Sequence, residues 1–316
     1  MSELVSVVIV NWNGLEHLHA CLPAVMAQDY PDIEIIVVDN GSTDGSADWL
    51  RATFPQVRLI CNEANLGFAG PNNQGILAAQ GAYIATLNND TLTDPHWLGK
   101  LVDAMTSQAQ VGMVASQIRF SHCPDRIDSA GIEVDVLGMA WNRHLGMSVA
   151  QEPQHVVEIF GPCAAAALYR KKMLDEIGLF DERYFAYYED VELAWRARRA
   201  GWRCLYAPQA QVLHVHSATG RTGSAFKAYH VNRNRVWTFI RHYPANRFLI
   251  WWPLVLLLDV ATWFWPLFAG RTSALRGHVD ALKEWSWAWG ERHRLSDWRH
   301  PVSLVFPRPP MSGIPK

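Results

Sequence analysis

The first half of the chain alternates short apolar runs with amphipathic segments. Continuous runs rich in β-branched residues predict buried strands at 5–10, 33–38, 57–61 and 83–87. Apolar residues at helical spacing predict helices at 15–28, 46–53, 69–79 and 95–107. Because strands and helices alternate, the pattern predicts an α/β fold with a mostly parallel sheet flanked by helices.

The pattern is less regular after residue 110. Apolar runs predict two further strands at 111–120 and 156–169, whereas the polar, glycine-containing segment 121–154 is predicted to be irregular. A short helix is predicted at 170–178. Apolar residues at helical spacing from Val191, with Gly201 as a stop signal, predict another helix.

Four polar loops follow the predicted parallel strands, at 11–14, 39–46, 62–73 and 88–90. In open α/β sheets ligands bind beyond the carboxyl ends of the strands, so we expect these loops to converge on one crevice. The candidate ligand contacts in these loops are Asn11, Asn13, Asp39, Asn40, Ser42, Asn65, Asn88 and Asn89.

Neither of the two common phosphate-binding fingerprints is present. No G-x-G-x-x-G follows a predicted strand and no G-x-x-x-x-G-K-[ST] occurs, which argues against a dinucleotide-dependent dehydrogenase and a P-loop NTPase. A carboxylate such as Asp39 can instead accept a hydrogen bond from N3–H of uracil or thymine, a donor that cytosine lacks. The alternative is that 39–46 is only a turn, with Asp44 capping the next helix.

Asp90 and a pair of histidines are candidate metal ligands. Asp90 follows the predicted strand at 83–87 and could bind a divalent cation held mainly by substrate phosphates; it could also cap the helix at 95–107. His214 and His216 alternate on a predicted strand and therefore share a face. That arrangement is compatible with metal binding, phosphate contact or plain packing.

An aromatic run at 184–188 precedes two adjacent acids, Glu189 and Asp190, in the first turn of the predicted basic helix. In one interpretation the acids only complement the helix dipole. In the other, the aromatic side chains form a partly apolar pocket that tunes a carboxylate as a general base. The residues alone leave both interpretations open.

Two other positions could contact a substrate. Gly161 begins a small-residue stretch at 161–167 that lets a sugar lie close to the backbone, or else forms a tightly packed core strand. Arg233 and Arg235 lie in a basic segment after the predicted sheet, where a guanidinium can make bidentate contacts with a diphosphate. We favour Arg233, and a solvated basic helix face is the alternative.

Composition separates the C-terminal tail from the rest of the chain. Residues 1–220 carry 14 Lys and Arg against 25 Asp and Glu, whereas residues 221–316 carry 14 against 5 and hold nine of the 15 tryptophans. A nucleic-acid surface would explain a basic aromatic tail but not its 22 apolar residues at 248–269, so no nucleic-acid partner is expected. Five widely spaced cysteines and an acidic N-terminus that reads into a strand indicate a reducing compartment and no secretory signal.

The apolar run at 248–269 is long enough to span a bilayer. Asp259 near its centre, Pro253 and Pro266 within it and basic residues on both flanks disfavour a single crossing. We therefore expect C-terminal membrane-associating helices that dock as an in-plane or re-entrant hairpin. A true span and a buried core or oligomer helix are the alternatives.

Five motifs, in this order and spacing, resemble those of the family 2 inverting glycosyltransferases, and within them the bacterial rhamnosyltransferase-like branch. They are SVVIVNWNG at 6–14, VDNGSTDGS at 38–46, NLGFAGPNNQG at 65–75, LNND at 87–90 and YED at 188–190. The resemblance implies the GT-A fold, a nucleoside-diphosphate sugar donor and a divalent cation, Mg²⁺ or Mn²⁺.

The resemblance also assigns roles by position in these motifs. It implies that Asp39 binds the nucleobase, Asp90 the metal, and that Asp190 is the catalytic base. Phe68 and Asn73 fall in a second nucleotide-side loop. The metal-binding motif departs from the family because it reads Asn-Asn-Asp and keeps one acid, so a second ligand is expected from His214 or His216.

These observations predict a membrane-associated enzyme at the cytoplasmic face of the inner membrane. It would move a sugar, with rhamnose as a candidate, from a UDP- or dTDP-sugar to a lipid-linked saccharide in cell-surface polysaccharide synthesis. Residues 1–95 are predicted to bind the nucleotide sugar, 96–235 to carry the acceptor side and catalysis, and 236–316 to associate with the membrane. The alternatives are a sugar-phosphate nucleotidyltransferase, disfavoured because loop 11–14 has no cation, and an inactive nucleotide-sugar-binding scaffold subunit.

Overall fold

The strands of the first half pair in parallel, as their buried apolar sequences predict. The computed structural model describes residues 2–135, 138–215, 224–243, 253, 257 and 272–294. In it, β1 (Val5–Asn11) lies between β2 (Ile33–Asp39) and β4 (Tyr83–Asn88), and β3 (Arg58–Cys61) pairs with β2 at the edge of the sheet. All three pairings are parallel, so the carboxyl ends of these strands meet at one edge.

Helices cover both faces of the sheet, because successive strand residues point to opposite sides. Val7 and Ile9 belong to one core cluster, whereas Val8 belongs to the other. The first cluster includes residues of α1, α2 and α4, and the second includes residues of α3. These helices run over α1 (Leu15–Met26), α2 (Ser46–Thr53), α3 (Ala69–Ala78) and α4 (Trp97–Thr106), within two residues of their predicted ends.

The second half of the sheet is mixed rather than parallel. β11 (Ala166–Arg170) lies antiparallel between β4 and β6 (Val111–Phe120), and β12 (Arg203–His214) runs parallel to β6. The short strand β5 (Thr91–Thr93) pairs antiparallel with the end of β12, where Thr91 is opposite His214. This pairing brings His214 beside Asp90.

Two predictions for the middle of the chain are wrong. The single strand predicted at 156–169 is two strands, β10 (Val157–Ile159) on β12 and β11 between β4 and β6, separated by a connection that begins at Phe160. The segment 121–154 is not irregular. It contains three short strands, β7 (Cys123–Ser129) on β6 and the pair β8 (Ile132–Val134) and β9 (Ala140–Asn142), and a 3-10 turn at Val149–Gln151.

The predicted basic helix that begins with two acids is α6 (Glu189–Arg199), which follows α5 (Lys171–Ile177) and a 3-10 turn at Glu182–Tyr184. A buried carboxylate on α6, that of Glu192, accepts hydrogen bonds from Arg196 on its own helix and from His242 Nε2, at 3.0 Å, on α7 (Ala225–His242). Burial alone would raise the pKa of Glu192, but Arg196 and Arg241 hold it well below its usual range. This charged network joins α6 to α7.

Two helices of the tail pack against α7, namely α8 (Thr272–Lys283) and α9 (Trp285–Arg294). Gly277 allows close contact, since a Cβ there would lie 2.4 Å from the Tyr229 carbonyl oxygen. The boundary predicted after residue 235 falls inside α7. Among the described residues no helix combines the length and apolar character needed to cross a membrane. The apolar run at 248–269 lies outside them, apart from positions 253 and 257.

Candidate active site

The loops at the carboxyl ends of β1, β2 and β4 converge, as predicted. In the strand register Asn11 is opposite Asp39, and Val10 is opposite Asn88. The Asn11 amide nitrogen donates to Asp39 Oδ1 at 2.9 Å, and its carbonyl oxygen accepts from Asn89 Nδ2 at 2.7 Å. The side chains of three strand ends therefore form one hydrogen-bonded row.

Asp39 lies at the base of this crevice and is 3% exposed. Its second oxygen accepts from the Ser42 backbone N–H at 3.0 Å, so the carboxylate also organises the loop that follows β2. Asp44 accepts from the Ser46 N–H at 3.0 Å just before α2, whose N-cap residue is Gly45. Since each carboxylate oxygen can accept a second bond, the loop contacts leave Asp39 able to bind a ligand N–H.

Other predicted donor contacts bond to each other and stiffen the rim of the crevice. The Asn40 amide donates to Asn65 Oδ1 and to the Gly67 carbonyl, both at 2.9 Å. The Asn13 carbonyl oxygen accepts from the Thr43 N–H at 2.8 Å, and Ser42 Oγ accepts from the Asn13 N–H at 2.9 Å. The loops after β1, β2 and β3 are therefore fixed to one another without a ligand.

A histidine bridges two carboxylates at the Asp90 side of the crevice. His214 Nε2 lies 3.2 Å from Asp90 Oδ1, and His214 Nδ1 lies 2.6 Å from Asp128 Oδ2. Burial would lower the pKa of His214, but the bonds to Asp128 and Asp90 raise it to about 10. Burial likewise opposes ionisation of Asp90, yet His214 holds its pKa below the usual value.

Asp90 and His214 fit a shared divalent cation only in part. Two ligand atoms on one ion with bonds of about 2.1 Å are roughly 3 Å apart, close to the separation seen here. No group of three or more acidic, His or Cys side chains suited to a metal occurs among the described residues. An ion here would need further ligands from water or substrate oxygens. His216, the other predicted ligand, lies outside the described residues.

The residues before α6, which we call the aromatic loop (residues 184–188), have an unusual backbone. Phe185, Tyr187 and Tyr188 have φ angles of 62°, 68° and 70°. Non-glycine residues adopt this left-handed region at a cost, and such strain concentrates at functional sites. The loop turns the chain sharply, so that α6 begins with Glu189 and Asp190.

Asp190 is linked through the backbone of Ala164 to β4, the strand that Asp90 follows. Its Oδ2 accepts from the Ala164 N–H at 3.3 Å, and its Oδ1 accepts from the Val191 N–H at 2.8 Å. The Ala164 carbonyl in turn accepts from Thr86 Oγ1 of β4 at 2.8 Å. The backbone at 164 therefore holds the candidate base against the strand that ends at the candidate metal ligand.

Burial raises the pKa of both acids above the usual range of carboxylates. Burial raises the pKa of Asp190 to about 6. The pKa of Glu189 is raised well above its usual value, first by burial and then by the charge of Asp190. Glu189 is 6% exposed and its Oε2 has no hydrogen-bond partner in the described structure. Burial therefore disfavours the charged form of both acids, and the charge of Asp190 disfavours ionisation of Glu189 further.

Three predicted donor contacts are occupied within the protein. A Cβ on Gly161 would lie 2.5 Å from Ala194 Cβ, so close packing against α6 explains this glycine. The Asn73 amide donates to the Phe180 carbonyl at 2.8 Å and its carbonyl oxygen accepts from the Phe180 N–H at 3.0 Å. Phe68 packs edge-on against Phe180, with ring centroids 6.2 Å apart. Their donor contacts stay predictions.

Arg233 does not reach into the crevice through the contacts seen here. Its guanidinium donates to the carbonyls of Arg183 and Tyr184, both at 3.0 Å, and stacks over Trp237 at 4.4 Å. Its role at the diphosphate stays a prediction that these contacts do not support.

Sequence reasoning missed two charged residues near the acids. Asp128 lies in the segment predicted to be irregular, and its partner His214 is 86 positions away, so no local pattern reveals it. Lys227 on α7 is half-buried, with its ammonium 5.4 Å from the Tyr187 ring centroid. Burial lowers the pKa of Lys227, while Asp128 and Cys163 oppose that shift. Lys227 is thus one of the cations on α7 that lie beside the aromatic loop.

The fold is that of the GT-A glycosyltransferases. The chain superposes on GalNAc-T7 with UDP, GalNAc and Mn²⁺ with a TM-score of 0.63, at 17% identity, over 94% of this chain and 58% of that one. It superposes on the mannosyltransferase PcManGT from Pyrobaculum calidifontis, in complex with GDP-Man and Mn²⁺, with a TM-score of 0.57, at 18% identity, over 94% and 86%.

Residues 6–178 match the model of Glycosyl transferase family 2, and the chain belongs to this family of enzymes. An N-acetylglucosaminyl-diphospho-decaprenol L-rhamnosyltransferase of Mycobacterium tuberculosis is 29% identical over 282 residues, which cover 80% of this chain and 90% of the relative. The O-antigen biosynthesis protein RfbC of Myxococcus xanthus is 27% identical over 227 residues, or 69% of this chain and 18% of the relative.

Sugar transfer should be lost as the pH falls through about 6. Asp190 can take a proton only when ionised, and with a pKa of about 6 roughly a tenth remains ionised at pH 5. The measurement is kcat/KM between pH 5 and 8, which should fall about tenfold per unit below pH 6.

Two controls accompany this profile. Enzyme held at pH 5 and assayed at pH 8 should recover its activity, which separates titration from unfolding. Asp190→Asn should give a flat profile, about 100-fold or more below wild type. An acidic limb centred near pH 4 would contradict the raised pKa of Asp190.

Proposed function

We propose that this enzyme transfers L-rhamnose, with inversion, from dTDP- or UDP-rhamnose to a hydroxyl of a diphospho-polyprenol-linked saccharide in cell wall polysaccharide synthesis. The observation that carries the proposal is the alignment with the mycobacterial rhamnosyltransferase over 80% of this chain and 90% of that protein. Its name specifies both the sugar and a lipid-linked acceptor. Three acids, Asp39 and Asp90 at the strand ends and Asp190 at the start of α6, support the same reaction.

The catalytic step rests on Asp190. The ionised carboxylate takes the proton of the acceptor hydroxyl, whose oxygen then forms a bond to the anomeric carbon of the donor. The bond from that carbon to the diphosphate breaks on the opposite face, and its electron pair leaves with the diphosphate. Attack opposite the leaving group inverts the anomeric centre.

The donor would lie along the row of strand ends. Asp39 accepts the N3–H of the base, while Asp90 and His214 would hold a divalent cation. When bound, such an ion supplies positive charge to the diphosphate. The pairing of two protein ligands with substrate oxygens is typical of Mg²⁺ sites, and two structural neighbours contain Mn²⁺.

The proposal is tested by incubating purified protein with dTDP-rhamnose and an N-acetylglucosaminyl-diphospho-polyprenol. We expect nucleoside diphosphate release that depends on acceptor, and a product whose anomeric configuration by NMR is opposite to that of the donor. UDP-GlcNAc and GDP-mannose serve as matched donors. Pyrophosphate release instead would indicate a nucleotidyltransferase, and preferential use of a matched donor would overturn the assignment of rhamnose.

Nucleobase and metal binding should separate between Asp39 and Asp90. Asp39→Ala should weaken dTDP or UDP binding by about 1–3 kcal/mol, the range for a lost charged hydrogen bond, without changing metal dependence. Asp90→Ala should instead blunt the response to Mg²⁺ or Mn²⁺. Calorimetry on both variants decides this, with exposed Asp48→Ala on α2 as the control. Equal defects in both variants would contradict separate roles.

The tail is proposed to dock the enzyme on the cytoplasmic face of the plasma membrane. The support from sequence is the apolar run at 248–269, with its four tryptophans. The described helices after it add exposed apolar side chains, since Leu282, Trp285 and Trp289 are 47%, 54% and 37% exposed. Docking there would bring the crevice to a lipid-linked acceptor.

Full-length protein should therefore sediment with anionic phospholipid vesicles and remain bound in about 0.5 M salt, because apolar insertion resists screening. Replacing Trp251, Trp252, Trp263 and Trp265 by Ser should release it. Leu77→Ser, at a 76% exposed position on α3, should not. Protein that ignores vesicles and stays in solution without detergent would exclude membrane docking.

A further inference from the structure

The carbonyl groups of the aromatic loop converge on one buried amide. Asn234, in the middle of α7, is fully buried. Its Nδ2 lies 2.9 Å from the Tyr184 carbonyl oxygen, 3.0 Å from that of Ala186 and 2.6 Å from that of Tyr187. We propose that Asn234 is a positioning residue for the catalytic base, because it holds the aromatic loop in the conformation that places Asp190 at the strand ends.

The orientation of this amide is fixed by its neighbour. Arg233 Nε donates to Asn234 Oδ1 at 2.9 Å, which leaves the NH₂ group directed at the carbonyls. The other end of the Arg233 guanidinium donates to the carbonyls of Arg183 and Tyr184. Two consecutive residues of α7 thus bind the backbone of four residues that precede the catalytic acids.

The loop needs such a partner because its backbone is strained. Phe185, Tyr187 and Tyr188 each carry a side chain at positive φ, and such conformations persist only where the surroundings impose them. A relaxation of φ at Tyr187 would rotate the carbonyl that Asn234 binds and would move the start of α6. Since Asp190 lies three residues beyond, this rotation would displace its carboxylate from Ala164.

The chemistry of position 234 requires donors. Three carbonyl oxygens are collected around one side chain, so an isosteric Asp would place negative oxygens against them. Ala would remove the donors without adding repulsion. Asn is a poor helix former, and at a fully buried helical position its polar group costs free energy unless it is bonded. Its contacts with the loop provide those bonds.

The test compares Asn234→Asp and Asn234→Ala with the same changes at Asn232, whose amide donates to the Ala228 carbonyl within α7. The inference rests on the proposed role of Asp190. We expect both Asn234 variants to lower kcat by about 100-fold, the effect of displacing a catalytic group by about 1 Å, with donor KM and nucleoside diphosphate affinity unchanged. The Asn232 variants should match wild type.

Hydrogen exchange of the amides at 185–191, measured without substrate, tests whether Asn234 holds the aromatic loop. We call this hold the clamp, and its test does not depend on the proposed function. Exchange there should accelerate in the Asn234 variants and not in the Asn232 variants. Unchanged exchange, unchanged kcat, or a loss of donor binding in proportion to kcat would overturn the inference. If wild type transfers no sugar while exchange responds as expected, the proposed function fails and the clamp stands. Asn234→Ala keeps the test interpretable if Asn234→Asp does not fold.

Discussion

The structure depends on a sharp left-handed turn that puts two acids at the start of a buried helix. An ordinary extended connection would carry the chain past the strand ends before α6 could begin. The positive φ angles of Phe185, Tyr187 and Tyr188 instead reverse the direction of the chain, at a cost of about 1–3 kcal/mol for each residue. Contacts on both sides of the loop offset that cost. The position of Asp190 is therefore a property of two packed helices as well as of its own motif.

The aromatic loop is also bound from the donor side of the crevice, opposite α7. The Phe185 carbonyl accepts from the N–H groups of Phe68 and Ala69, at 2.5 and 3.3 Å, at the start of α3. Gly67 permits this approach, because a Cβ there would lie 2.4 Å from the same carbonyl oxygen. The glycine-containing motif at 65–75 thus binds the aromatic loop that precedes the candidate base. This motif, which resembles a nucleotide-side motif of the family, therefore also has a structural role in holding the aromatic loop.

Local patterns in the sequence predicted the parallel half of the sheet, its four helices and the acids at the strand ends. The segment 121–154 was harder, because three-residue strands such as β8 and β9, which form a separate two-stranded sheet, have too few positions for a periodic pattern. Partners distant in sequence were not predictable: Asp128 meets His214, and Asn234 meets the aromatic loop, only after the chain has folded. The close packing at Gly161 and the backbone bonds of Asn73 were also hidden from the sequence, since residue type alone does not show which neighbour a residue faces.

The buried carboxylates of this region fall into two groups that differ in whether a cation lies beside them, and the two groups suit different chemistry. Glu192 and Asp90 each have a cationic partner, so their pKa values lie below the usual range although both are buried. Glu189 and Asp190 lie in an equally buried place where burial is the main influence, and their pKa values rise. A carboxylate with a raised pKa binds protons, as a base must, whereas one held ionised suits a cation. Beside Asp90, the carboxylate that is held ionised, Asp128 bonds His214 Nδ1 and leaves Nε2 directed at Asp90. A carboxylate in this position would orient His214 toward a cation once Nε2 has lost its proton, and it would then support the single acid of the Asn-Asn-Asp motif.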